Sequence, residues 1–406
     1  MQKKSIINKE WDSIFNEYAG KYNLSNCAYS LYLFTERLYE GLKNDKTKDV
    51  LFMSREGQFL KLLFDRYCEI KKELGQDVYD VKSHYFYGSR NSIMCASVKS
   101  LEEEDFSFLF RYFGFMNASG FMHSIGFSSE QIYEVVKSLG KQVYRKSLNF
   151  KASKMFKNLK ADAVFRKIYD DNRNAQAKAF TSYMQSFNIN YEKDGIVFVD
   201  IGYHGTMQDL IYKFFNKNIN IKGYYIKSRV ASVGNNLKSG LLSDKANKTL
   251  FGERINKYDV FNYEQILRAD HGRCLGYEVD DLNVGHPVID TKLKDKELYD
   301  KYVKELQTQI LNKFELIANK SLKDNADIST MCVVYYYYTI KNKSKADYDW
   351  LLDMQDSHHD DFGFVGYPGK MFARGLRRFA FKLKDKLFLL KNMCYVRKLK
   401  RKINLK

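Results

Sequence analysis

The chain has 406 residues with a net charge of +18, two prolines and no Gly/Ser-rich or Pro-rich stretch, which argues against a long disordered linker. That length suits one large α/β domain with helical additions or two domains with separate cores. Six scattered cysteines (27, 68, 95, 274, 332 and 394) form no C-x-x-C pair, the first residues MQKKSIINKEWDSIF lack a secretory apolar region, and no run reaches the roughly 18 apolar residues of a spanning helix, so the sequence predicts a reducing cytosol and no membrane crossing.

Residues 1–47 read as a helical segment, with Trp11, Ile14, Phe15 and Tyr18 and later Leu31, Phe34, Leu38 and Leu42 supplying apolar faces that cover part of a sheet. KDVLFMSREGQFLKLLFDRY then gives a strand at Val50 to Met53, a turn Ser54-Arg55-Glu56-Gly57 and a helix with the stripe Phe59, Leu60, Leu63, Phe64 and Tyr67. KSHYFYGSRNSI reads as a second strand ending near Tyr87-Gly88-Ser89-Arg90. Between about 101 and 188 no strand-like alternation is long enough to use, and Phe106, Phe108, Phe110, Tyr112 and Phe113 are expected to fill a helical insertion.

The run from Gly195 to Asp200 is a buried type of strand, and Met207, Leu210, Ile211 and Phe214 mark the helix after it. IKGYYIKSR is a further strand. Strands alternating with helices predict a parallel sheet with crossovers, so the fold class is α/β, with a core over 48–290, a helical region over 291–369 and a tail over 370–406.

The tail holds most of the charge. From Lys370 to Lys406 there are fourteen basic residues against the single acid Asp385, which is +13 of the total +18 and leaves +5 on residues 1–369. Phe372, Leu376, Phe379, Leu383, Leu387, Leu390 and Cys394 recur at steps of 4, 3, 4, 4, 3 and 4, one apolar stripe on a basic helix. Such a helix is expected on an anionic membrane surface. The competing readings are a helix docked on the body with solvated charges, and a nucleic-acid contact, which is not expected because the stripe continues through the basic region.

In a parallel sheet, ligands sit beyond the carboxyl ends of the strands, where both Asp200 to Thr206 and Ser54 to Gly57 fall. Gly202 and Gly205 would let backbone approach a ligand, and the helix beginning at Thr206 and Met207 would offer N–H groups to a phosphate. Asp200 can accept from ribose hydroxyls or help hold Mg²⁺; the alternative is a turn carboxylate with no ligand. Arg55 is a forked phosphate donor beside Ser54 and Gly57, and Ser89-Arg90 would join the same cluster; otherwise these are ordinary surface arginines.

IVFVDIGYHGT resembles the phosphoribosyl pyrophosphate (PRPP) motif of type I phosphoribosyltransferases, and LFMSREGQFL resembles their pyrophosphate-binding turn. With YGSRNSI, VDIGYHGTMQ and YEQILRADHGRCLGY, residues 48–290 are similar to domains found beside phosphatases and glycosyltransferases in bacterial polysaccharide gene products. The resemblance implies a phosphoribosyltransferase-like core that transfers 5-phosphoribosyl from PRPP to a glycan hydroxyl, with loss of pyrophosphate and with Mg²⁺. A separate phosphatase would then remove the 5-phosphate to leave ribofuranose.

By the same resemblance Ser54, Arg55, Glu56 and Gly57 would meet pyrophosphate, Asp200 the ribose, and Tyr203, His204, Gly205 and Thr206 the 5-phosphate. Type I enzymes carry two adjacent acids where this chain has Asp200-Ile201, and a Thr-Gly-Gly-Thr-like loop where it has Tyr203-His204-Gly205-Thr206. Asp200, Glu56 and His204, in that order, are the candidates for general base. Glu264 and His271 would line the acceptor side, against a solvated helix face and a satisfied histidine. His358-His359 followed by Asp360-Asp361 has metal-ligand chemistry without support from the resemblance.

The acceptor is expected to be lipid-linked, and the protein cytoplasmic and peripheral on the inner face of the membrane. Competing readings are a nucleoside-binding methyltransferase, a phosphatase of the haloacid dehalogenase kind, which places a second acid where this chain has Gly202, and a non-catalytic assembly protein docked by its tail.

Overall fold

The computed structural model describes residues 11, 13, 14, 21–112, 114–244, 263–291, 293–357 and 374–402. Helix α1 (Ala28–Asn44) precedes strand β1 (Asp49–Met53), helix α2 (Gly57–Glu73), strand β2 (Lys82–Phe86) and helix α3 (Arg90–Ser97). A run of helices starting at Ser107 follows, ending in α4 (Ala163–Gln185). Strand β3 (Ile196–Tyr203), helix α5 (Thr206–Phe214) and strands β4 (Ile221–Ser228) and β5 (Asn236–Asp244) complete the sheet. Beyond it come the short α6 (Tyr263–Ile266), a hairpin of β6 (Cys274–Val279) and β7 (Gly285–Ile289), and helices α7 (Leu293–Leu298), α8 (Lys304–Asp324), α9 (Ser329–Lys341), α10 (Lys345–Ser357) and α11 (Arg374–Lys402).

The five-stranded sheet is parallel throughout, in the order β2-β1-β3-β4-β5. Alternation along its inner strands explains its two covered faces. In β1, Val50 and Phe52 point into one core and Leu51 and Met53 into the other; in β3, Val199 and Ile201 oppose Ile196 and Phe198. A strand buried on both sides reads as an unbroken apolar run, as both do here.

The first face is covered by α1, α2, α8 and α9, through residues such as Leu38, Leu63, Phe314 and Val333. The N-terminal helical segment and the helices after 291 therefore form one layer, and α1 is buried along most of its length. The second face is covered by α3, α4 and α5 and by the insertion, whose Phe106, Phe121 and Phe156 interlock edge to face with Phe106 and Phe121 centroids 5.0 Å apart.

Several elements differ from the sequence expectation. Strand β3 runs on past Asp200 to Tyr203 because it stays paired with β4 through Gly202↔Lys227 and Tyr203↔Ser228. β5 and the β6–β7 hairpin were not anticipated: β5 is a sheet edge of mixed burial, and the hairpin is held mainly by α4, where Gln176 both donates to the Tyr277 carbonyl at 2.9 Å and accepts from its N–H at 3.0 Å.

No helix among the described residues is long and apolar enough to cross a membrane. Phe15, Tyr18, Phe113, Phe372 and the His358–Asp361 run lie outside the described residues, as does the side chain of Tyr112.

Phe52 is fully buried, 5.6 Å ring to ring from Phe64, at the junction of sheet and first helical layer. Phe52→Ala is expected to cost about 3–5 kcal/mol through lost transfer energy and the cavity left behind. A urea titration would register this as a lower midpoint with an unchanged slope.

Candidate functional site

The strand order reverses between β1 and β3, because β2 lies to one side of the pair and β4 to the other, and a crevice opens there at the carboxyl edge. A cavity of about 260 Å³ occupies it, lined by both predicted turns (Ser54 to Glu56 and Asp200 to Met207), by Gly88 to Arg90, and by Glu264, Gln265, Arg268 and Arg273. The peptide bonds Ser54–Arg55 and Gly202–Tyr203, one in each turn, are both cis.

Ser54 fixes the first turn to the end of β2: its hydroxyl donates to the Gly88 carbonyl at 2.7 Å and accepts from the Gly88 N–H at 2.8 Å. Glu56 accepts from the Arg55 N–H at 3.1 Å. Gly57 stands behind the cavity wall, where a Cβ would come within 2.6 Å of the Phe52 carbonyl carbon, so this glycine permits helix α2 to pack on β1. Ser89 caps α3 by accepting from the Ser92 N–H at 3.0 Å and donates to the Cys274 carbonyl at 2.7 Å, which aims Arg90 into the cavity wall.

The second turn is set by its neighbours. Gly202 has φ +114, and a Cβ there would lie 1.9 Å from the Lys227 carbonyl oxygen of β4. Gly205 has φ +64 at the N-cap of α5, facing the Tyr225 hydroxyl and Lys238. Both positions need glycine for chain packing before any ligand arrives. No side chain caps α5, so its first N–H groups, beginning at Thr206 and Met207, remain for a ligand at the positive end of the helix. Tyr203 lies under two cations, Lys227 at 5.1 Å and Arg229 at 4.7 Å from its ring centre.

Four arginines and three carboxyl groups face the cavity. Arg55 and Arg268 share one carboxylate: Asp295, at the start of α7, accepts from Arg55 Nη1 at 3.3 Å and lies 3.3 Å from Arg268 Nη2. Asp200 is buried, and burial first, then the charge on Glu56, push its pKa well above the usual carboxylate range; Glu264 adds to this, while the Ile201 N–H, donating at 2.7 Å, and the charge of Arg90 oppose it. His204 is exposed at the cavity mouth, where partial desolvation and then Arg229, Lys238 and Arg111 hold its pKa below the ordinary value and favour neutral imidazole.

The structure thus brings Ser54, Arg55, Glu56, Ser89, Arg90, Asp200, Gly202, Tyr203, His204, Gly205, Thr206 and Glu264 to one cavity. His271 stands outside it, with Nε2 2.7 Å from the Tyr85 hydroxyl and Nδ1 2.7 Å from the Gly272 carbonyl, so both ring nitrogens are satisfied. Arg268, Arg273 and Asp295 were missed. The two arginines lie in YEQILRADHGRCLGY, a stretch with no strand-turn-helix signature, and Asp295 reaches the site only through tertiary packing.

Among the described residues no group of three or more His, Cys, Asp or Glu is arranged to hold a metal ion. Mg²⁺ requires less than that, since it is held by one or two carboxylates plus substrate phosphates. Asp200 and Glu56, whose charges interact, fit such a partial site. The chain matches no protein-family model and no curated protein.

Because Asp200 has a raised pKa in the fold, its stabilising contribution is complete below the ordinary carboxylate pKa and is lost as pH rises through the folded value. Thermal midpoints of the unliganded protein should therefore contain a falling component from about pH 4 upward. Asp200→Asn, which keeps an acceptor for the Ile201 N–H, is expected to remove it, leaving a flatter profile.

Proposed function

We propose that this cavity binds PRPP and that the protein transfers its 5-phosphoribosyl group to a hydroxyl of a bacterial surface glycan, releasing pyrophosphate. The observation that carries this reading is the meeting of Arg55, Arg90, Arg268 and Arg273 with the uncapped start of α5 in one crevice that also holds Asp200, Glu56 and Glu264. Guanidinium groups and a free helix N-terminus suit a ligand that carries phosphates, and carboxyl groups beside them suit the hydroxyls of a pentose. The motif resemblance supplies the identity of that ligand.

In the proposed reaction the acceptor oxygen attacks C1 of the ribosyl unit, the bond from C1 to the pyrophosphate oxygen breaks, and the acceptor proton passes to a base of the protein. Mg²⁺, bound through the donor phosphates and Asp200 or Glu56, would offset charge on the departing pyrophosphate. Arg55 and Arg90 donate to that leaving group, and the first N–H groups of α5 hold the 5-phosphate. Neutral His204 and the carboxylate of Glu56 are ready proton acceptors. Asp200 in its protonated form donates to a ribose oxygen, and would serve as base where a bound cation lowered its pKa.

Calorimetry with PRPP and Mg²⁺ is expected to show uptake by the wild type and binding weaker by roughly tenfold or more in Arg90→Ala, the scale of one charge-assisted hydrogen bond. Incubation with PRPP, Mg²⁺ and lipid-linked or synthetic glycans should add the mass of one phosphoribosyl unit to the acceptor and release pyrophosphate, with Asp200→Ala inactive. Absence of PRPP uptake by a folded wild-type protein would overturn the reading.

A further inference from the structure

Helix α11 docks on the body by a face other than its leucine stripe. Asp385, Phe388, Asn392 and Leu399 are buried. Phe388 stacks on Tyr337 of α9 at 5.5 Å and 13°, while Asp385 accepts from Lys343 at 3.1 Å and from the Tyr348 hydroxyl at 2.8 Å. Arg378 pairs with Asp349 of α10.

The stripe is left outside: Leu376 is 60% exposed, Phe379 63%, Leu383 45%, Leu387 52% and Leu390 56%. At 3.6 residues per turn these five positions fall in a sector of about 80°, centred roughly opposite the docked face. Exposed cations border it on both sides, Lys384, Lys391 and Lys398 along one edge and Lys382, Lys386 and Arg397 along the other. The only carboxylate described in α11, Asp385, is sequestered in the docked face, so the outward surface of this helix has no anion to repel acidic headgroups.

We propose that this outward face of α11 lies on an anionic lipid surface, with the Leu/Phe stripe sunk into the headgroup and acyl boundary and the flanking lysines on lipid phosphates. Charge complementarity selects this occupant. A second copy would set two strongly basic faces against each other, and a nucleic acid would satisfy the cations while leaving five large apolar side chains in water. The helix thereby serves as a two-sided adaptor, one face on protein and one on lipid.

The test is co-sedimentation of the full-length protein with vesicles of phosphatidylcholine alone or with about 30% phosphatidylglycerol, a strongly anionic surface. The assignment expects binding to the anionic vesicles only, weakened by added salt. The double variant L383D/L387D and the triple variant K384E/K391E/K398E should each bind at least tenfold more weakly, with thermal midpoints unchanged because the altered side chains are exposed. Equal binding to both vesicle types, or wild-type binding by L383D/L387D, would overturn it. So would a wild-type dimer that L383D/L387D dissolves, which would make the stripe a contact between copies.

Discussion

The parallel pairing of Leu51 and Phe52 with Phe198 and Val199 is the constraint on which the site depends. It sets the carboxyl ends of β1 and β3 side by side, so the turns that follow, 150 residues apart in sequence, become two walls of one crevice. Since β2 and β4 leave on opposite sides, no strand among the described residues crosses that crevice. The apolar residues that alternate between the two cores along β1 and β3 hold this register: a one-residue slip would send each core's side chains to the wrong face.

The crevice brings buried groups of both charge signs together. Asp295 pairs with two guanidinium groups, and Asp200 is held away from its charged state by burial and by Glu56. Asp295 belongs to the helical region after 291, so the C-terminal third is part of the site as well as of the core. Arg55 and Arg268 are consequently oriented by a residue that no motif around β1 or β3 contains.

Much of this arrangement was legible in the sequence because strand-turn-helix units write themselves locally. An apolar run ending in Ser54-Arg55-Glu56-Gly57, and another ending in Asp200-Ile201-Gly202, announce turns at a sheet edge, and both line the cavity. The chemistry of the glycines was less legible: Gly57 and Gly202 answer to the Phe52 and Lys227 backbones, contacts between elements that spacing does not reveal. Arg268 and Arg273 come from a segment fixed by distant residues, Gln307 of α8 donating to the Ile266 and Arg268 carbonyls and Ser89 to that of Cys274, and β5, exposed on one edge, lacks the unbroken apolar run that betrayed β1 and β3.

The tail separates two properties that one sequence pattern had merged. A stripe of leucines on a helix ordinarily faces the core, and here the core is instead served by Phe388, Leu399 and the buried polar pair Asp385 and Lys343, whose removal from water is tolerable because each has a partner. Charge is divided along the same line. The cations bordering the stripe stand in solvent and act over a Debye length of about 8 Å at physiological ionic strength, whereas Arg55 and Arg268 are shielded by the crevice and feel salt far less. The molecule thus keeps a salt-sensitive surface and a salt-resistant pocket on one chain. Loss of the proposed lipid attachment at high ionic strength therefore leaves the geometry of the crevice intact, because among the described residues none of α11 lines it.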